Sequence, residues 1–215
     1  MGAVVAQNGR RGNAYVSFSR MAALDSFPDS SNAKMSPVSS ASRVIGPEKF
    51  QSRKTVEVAR WLIGKHLVRR LADGREEARM ITETEAYVGE HDLACHAKAG
   101  CTPRTEVLYR AGGIWYVYLC YGIHEMLNLV TGPEGAPAAI LIRGVEGISG
   151  PGRVTKRLEI DRKLNRAAAD PVSGLWLEDR GMRVRRNEVK ATPRIGVDYA
   201  GEIWAKKPWR FVWER

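Results

Sequence analysis

Two pairs of branched and aromatic runs, each pair hinged on a glycine, constrain this chain more than any other feature. His66 to Leu71 and Arg79 to Val88 flank Asp73-Gly74, a dipeptide that suits a tight hairpin because glycine accepts positive φ at no steric cost. Gly113 to Tyr121 and Ile123 to Thr131 meet at Gly122 and predict a second hairpin. Ala138 to Val145 reads as a buried strand, and three or four short strands follow to Trp213. Helices are few. Thr55 is expected to cap a short one whose Val58, Trp61 and Leu62 share a face and which Gly64 ends. Asp92 to Ala99 predicts another, followed by a loop at Gly100 to Pro103, and Pro151 to Ile160 a third, opened by Gly150-Pro151-Gly152. Paired strands with few crossover helices predict an α+β fold, a single domain whose curved, mostly antiparallel sheet is flanked by helices.

A chain of 215 residues, 44% hydrophobic and 27% charged, suits one soluble core and excludes fibrous and membrane-spanning classes. No apolar run reaches the length of a spanning helix, and the start lacks a basic region followed by an apolar one, so secretion is not expected. Cys95, Cys101 and Cys120 are too few and too odd in number for a disulfide scaffold, which favours a reducing interior. Residues 1 to 45 form a serine-rich, basic segment, with nine serines between Ser17 and Ser42, expected to be a disordered extension or a targeting arm. Residues 46 to 215 then carry the folded domain. The formal net charge of +10 favours a polyanion, namely nucleic acid, an anionic membrane surface or an acidic protein. Ten basic against four acidic residues between 180 and 215 place much of that charge near the C-terminus.

Three stretches could carry chemistry. In Ile81 to Tyr87, strand alternation puts Ile81, Glu83, Glu85 and Tyr87 on one face. A desolvated carboxylate there has a raised pKa and can accept a proton near neutrality, although a solvated face with two idle glutamates is the simpler reading of spacing. Tyr116 and Tyr118 share a strand face and Tyr121 sits at the hairpin tip, placements suited to stacking on and wedging between bases, or to plain packing. Ser149 to Lys156 sets small residues before a helix with Arg153 and Lys156 following, a phosphate site or an ordinary helix start. His91, Cys95, His96 and Cys101 lie close in sequence but lack metal-ligand spacing, so no metal is expected, and His66 and His124 carry no signal.

Taken in order, Glu83-Thr84-Glu85-Ala86-Tyr87, His96, Thr102-Pro103-Arg104, Tyr116-Val117-Tyr118, Tyr121-Gly122, Asn128, Arg143, Gly150-Pro151-Gly152-Arg153, Pro193 to Gly196 and Lys206 to Phe211 resemble the 3-methyladenine (alkyladenine) DNA glycosylase family over residues 48 to 215. The resemblance implies an enzyme that flips a damaged purine out of duplex DNA and hydrolyses its N-glycosidic bond, monofunctional, with no cofactor, as a monomer beside the DNA inside the cell. It implies Glu85 as general base, with Arg143 and the main-chain carbonyl of Ile195 holding the water. Tyr87, His96 and Tyr118 would hold the base with Ala94, Asn128 would crowd the 2-amino group of normal guanine, and Tyr121 would fill the gap in the duplex. Thr102, Arg104, Gly152, Arg153, Lys156 and Arg194 are expected on DNA phosphates. Two departures stand out: Thr105 where the family commonly has Asn, and only six residues between Arg143 and Gly150. The rivals are a non-catalytic nucleic-acid-binding module and a metal-dependent nuclease or sugar hydrolase built on Glu83 and Glu85; neither accounts for the shared order of motifs.

Overall fold

The computed structural model describes residues 43–51 and 54–214. In chain order these form β1 (Arg43–Val44), α1 (Thr55–Trp61), β2 (His66–Arg70), β3 (Glu76–Val88), β4 (Trp115–Cys120), β5 (His124–Val130), β6 (Ala138–Val145), β7 (Ile148–Ser149), α2 (Pro151–Arg157), β8 (Leu175–Asp179), β9 (Lys190–Thr192), α3 (Glu202–Ala205) and β10 (Arg210–Val212). The ten described strands make one open sheet in the order β1-β8-β2-β3-β6-β5-β4, with β10 joining β3 to β9 and β7 folded back on β6. Every strand pair is antiparallel. This is the single α+β domain expected.

One face of the sheet carries the main core. Thr84, Ala86, Ile140, Ile142, Leu127, Leu129, Trp115 and Val117 are all buried there, and α1 and α2 cover them with Val58, Ala59, Leu62, Val154 and Leu158. Alternation explains the choice, because neighbouring strands put their registered residues on the same side. The other face is therefore free for a different purpose. Cys95, Ala97, Val107 and Leu108 cover part of it against Tyr116, Val130 and Ala139.

The 13-residue β3 is the axis of the sheet. Its first half pairs with β2 and its second half lies between β6 and β10. Two compensating bulges interrupt the β3/β6 ladder: Ile81 faces Val145, Glu83 faces Gly144 and Thr84 faces Ile142, so Thr82 on β3 and Arg143 on β6 are the extra residues. The first bulge corrects the expectation that Ile81 shares a face with Glu83, Glu85 and Tyr87. Ile81 turns into the core instead, since the inserted Thr82 reverses the parity. Gly144 is required at this point, where a Cβ would meet the Cβ of Glu83 at 2.9 Å.

Other differences are local. Asp92 to Ala99 is not a helix but a turn followed by one 3-10 turn at His96–Ala99. Thr55 is the first helical residue rather than the cap, which is Lys54, and its hydroxyl bonds that of Thr131 at 2.8 Å. Arg43 and Val44 pair with Asp179 and Glu178 and Ile45 is buried in the core, so the predicted extension stops short of Arg43. Its serine-rich remainder lies outside the described residues. No described helix is long and apolar enough to cross a membrane.

Candidate active site

The free sheet face builds the site by register. Glu85 of β3 pairs with Leu141, Tyr87 with Ala139, Leu141 with Asn128, and Asn128 with Tyr116, so these side chains follow one another across four strands. Tyr118 lies two residues beyond Tyr116 on the same face. Tyr87, Ala139, Leu141, Asn128, Tyr116 and Tyr118 line a cavity of about 470 Å³ together with Ala94, Cys95, His96, Arg104, Arg143 and Ile195, within the size range of small-molecule sites. Tyr121 and Tyr199 stand at the same cavity.

Glu85 has no solvent exposure and lies just beneath that wall. Its Oε2 accepts from the Tyr87 hydroxyl at 2.8 Å, its Oε1 accepts from the Ile195 main-chain amide at 2.8 Å, and Arg143 Nη1 is 3.5 Å from Oε1. Tyr87, Ile195 and Arg143 all line the cavity, so every group bonded to the carboxylate is also a wall residue. Burial raises the Glu85 pKa above the ordinary glutamate value, while Arg143, the Ile195 amide and the Tyr87 hydroxyl oppose that rise. A carboxylate with a raised pKa is a better proton acceptor than an exposed one. At Ile195 the main-chain atom that contacts Glu85 is the amide, whereas the expectation had rested on the carbonyl.

Arg143 is held in turn. Its Nε donates to Glu83 at 2.9 Å, and Glu83 also accepts from Arg210 Nε at 2.6 Å. Glu83 is thus an ion-pair anchor rather than a second reactive carboxylate, a role that spacing did not reveal. The bulge that makes Arg143 the extra residue aims it across the sheet toward both glutamates.

His96 Nδ1 shares a hydrogen bond of 2.9 Å with the Tyr116 hydroxyl, and its ring meets that of Tyr118 edge-on, centroids 4.6 Å apart. Burial, then the charges of Arg104 and Lys98, push its pKa down to about 4, so the ring is neutral at physiological pH. Burial raises the Tyr87 and Tyr118 hydroxyls, which remain protonated. Asn128 is buried, with Nδ2 donating to the carbonyls of Tyr116 and Met126 at 3.2 and 3.3 Å. Tyr116 stands on the face it was expected to share with Tyr118, and Asp92 is the member of this region that sequence reasoning missed; its signal was the Asp-x-Ala turn before His96.

Tyr121 is at the tip of the β4/β5 hairpin, 93% exposed, with φ of 50°. Gly122 follows with φ of 69°, and Ile123 N closes the turn on Cys120 O at 3.1 Å. A bulky non-glycine residue held in the left-handed region stores strain, and such residues concentrate at functional positions. Beside the hairpin, α2 exposes Arg153 and Lys156, and Gly152 packs so closely on the His124 ring that a Cβ would come within 2.9 Å of it. The six residues after Arg143 form the tight β6/β7 hairpin that delivers the chain to α2.

Arg104 is exposed, lines the cavity and lies 5.6 Å from the Tyr118 ring. Thr102 is part of the turn below it. There the Thr105 hydroxyl accepts from the Thr102 amide at 2.8 Å and donates to Gly100 O at 2.7 Å, so threonine supplies both halves of a turn-closing side chain. Arg194 is the correction among the expected phosphate contacts. Its side chain has no exposure and is bonded to Asp92, which leaves nothing to reach a phosphate.

The carboxylate under an aromatic cavity and the basic surface beside it are the parts that N-glycosidic hydrolysis on DNA needs. Residues 49–215 match the methylpurine-DNA glycosylase family. The chain belongs to that family of hydrolases acting on the N-glycosidic bond. It is 44% identical over 203 residues to a protein of Psychrobacter cryohalolentis, covering 80% of this chain and 92% of the relative. A Methanocella arvoryzae protein is 46% identical over 185 residues, with 77% and 90% covered. A Myxococcus xanthus protein is 47% identical over 179 residues, with 79% and 89% covered. All three carry the provisional name 3-methyladenine DNA glycosylase.

Proposed function

We propose that this chain rotates alkylated or deaminated purines out of duplex DNA and hydrolyses their N-glycosidic bond without cutting the strand, working as a monomer inside the cell. The observation that carries this reading is the buried Glu85 carboxylate, bonded to Tyr87 and Ile195 at the wall of the aromatic cavity.

The chemistry follows from charge. As the bond to the base breaks, positive charge grows on the sugar, and the Glu85 carboxylate both stabilises it and takes a proton from the attacking water. Arg143 and the Ile195 main chain hold that water. The purine lies between Tyr87 and Tyr118, whose faces attract a cationic alkylated ring. His96 Nδ1 is engaged by Tyr116, so recognition of the purine edge falls to Nε2. Asn128, fixed by two carbonyls, crowds a 2-amino group and disfavours guanine. Tyr121 enters the stack where the base left, and Arg153, Lys156 and Gly152 on the adjoining helix, with Thr102 and Arg104, meet phosphates. A lyase would need an amine nucleophile; among the described residues no lysine lines the cavity, which supports simple hydrolysis.

A duplex with one hypoxanthine or ethenoadenine, incubated with the protein, breaks at the lesion only after hot alkali if this reading holds. Breakage without alkali, or none with it, contradicts the reading.

A further inference from the structure

Arg194 and Asp92 form an ion pair in which neither side chain is exposed, with contacts of 2.6 and 2.9 Å. Such a pair is a poor source of net stability, because desolvating both charges offsets their attraction. Its placement is informative. Arg194 Nη1 also donates at 2.9 Å to the carbonyl of Ala86, the residue between Glu85 and Tyr87, and Nη2 donates at 3.2 Å to Trp204 O in α3. The guanidinium lies 4.7 Å from the Tyr87 ring and 5.2 Å from that of Trp209. Asp92 accepts from the Val88 amide at 3.1 Å and the Ala94 amide at 3.0 Å. The next residue after Arg194 is Ile195, whose amide reaches Glu85.

We propose that Asp92 and Arg194 form a positioning clamp for the reaction, one that sets the Ile195 amide on the Glu85 carboxylate and fixes the Tyr87 ring at the cavity wall. The clamp rests on the reading of Glu85 as the base. It gathers β3, the turn leading to His96, the loop at Ile195 and α3 around a single planar fork, a geometry that Lys cannot reproduce. The groups facing Glu85 are Glu83 and Tyr87 from β3, Arg143 from β6, Arg210 across the β10 pairing and Arg194 itself. The Ile195 amide is the neutral donor among them. Loosening the clamp withdraws that donor from the ionised carboxylate, so Glu85 protonates at higher pH.

The test is single-turnover release of hypoxanthine from a duplex, followed across the acid and neutral range, with the full chain, the double variant D92L/R194M, R194K and E85Q. The double variant removes both charges at similar volume, and near-ultraviolet circular dichroism checks that it folds. Its acid limb moves up by about one pH unit, so the rate on that limb falls about tenfold at a given pH, while R194K shifts part of the way. A folded double variant with the wild-type limb overturns the clamp. Should the double variant not fold, an unshifted limb in R194K overturns it. Release by E85Q at the wild-type rate would instead remove the base reading; an inactive E85Q beside an unshifted limb sinks only the clamp.

Discussion

The Tyr87 hydroxyl donates to the Glu85 carboxylate at 2.8 Å, two residues away on the same strand. Stacking wall and proposed base are therefore one unit, and neither can move without the other. Replacing Tyr87 by Phe keeps the ring and removes the donor. Losing a donor to the ionised carboxylate raises the Glu85 pKa further, and the reaction needs the ionised form, so the acid limb of base release shifts to higher pH. Affinity for a lesion duplex stays within about threefold, because the stacking area is unchanged. Single-turnover rates and binding measured over a pH series check both statements.

Glu83 anchors Arg143 and Arg210 together. Glu83→Gln leaves Arg210 without its ion-pair partner and Arg143 with Glu85 alone. Both keep some solvent, so the expected loss is about 2–3 kcal/mol rather than the roughly 3–5 of a fully dry pair. Urea unfolding measures it, and excision falls as well because Arg143 loses its anchor.

At the strained, exposed Tyr121 function and stability separate. Tyr121→Ser removes no buried contact, so the thermal midpoint holds. Affinity for a lesion duplex drops about tenfold, the scale of one lost base–aromatic contact. Thermal melts and a binding titration on the same preparation separate the two.

His96 titrates far below an ordinary imidazole, at about 4. Between that value and the roughly 6.5 of an unfolded chain, the unfolded state binds more protons, so this group costs the fold stability as pH falls through the window. Proton NMR should place the His96 titration near 4. In urea unfolding, His96→Gln loses less stability across the same window than wild type does.

The alternation of β3 to β6 made much of this site readable in the sequence: residue parity and two glycine turns offered Glu85, Tyr87, Tyr116 and Tyr118 as candidates, while Asn128 came from the family resemblance alone. What stayed hidden depends on contacts between distant segments. Nothing local marks Thr82 as the extra residue of a bulge, which is why Ile81 went to the wrong face. Arg194 sits in a basic C-terminal stretch that reads as surface, and only its pairing with Asp92, 102 residues away, takes it inside. Arg43 to Ile45 look like the end of a polar tail until β8 offers them an edge to pair with.

The most direct test of the account is Glu85→Gln in single-turnover release of hypoxanthine from duplex DNA. The amide is nearly isosteric and uncharged, so it can neither take the proton nor stabilise the developing sugar cation. The predicted result is a rate reduced by at least about a hundredfold with lesion binding retained. Release by the variant at the wild-type rate would contradict the account.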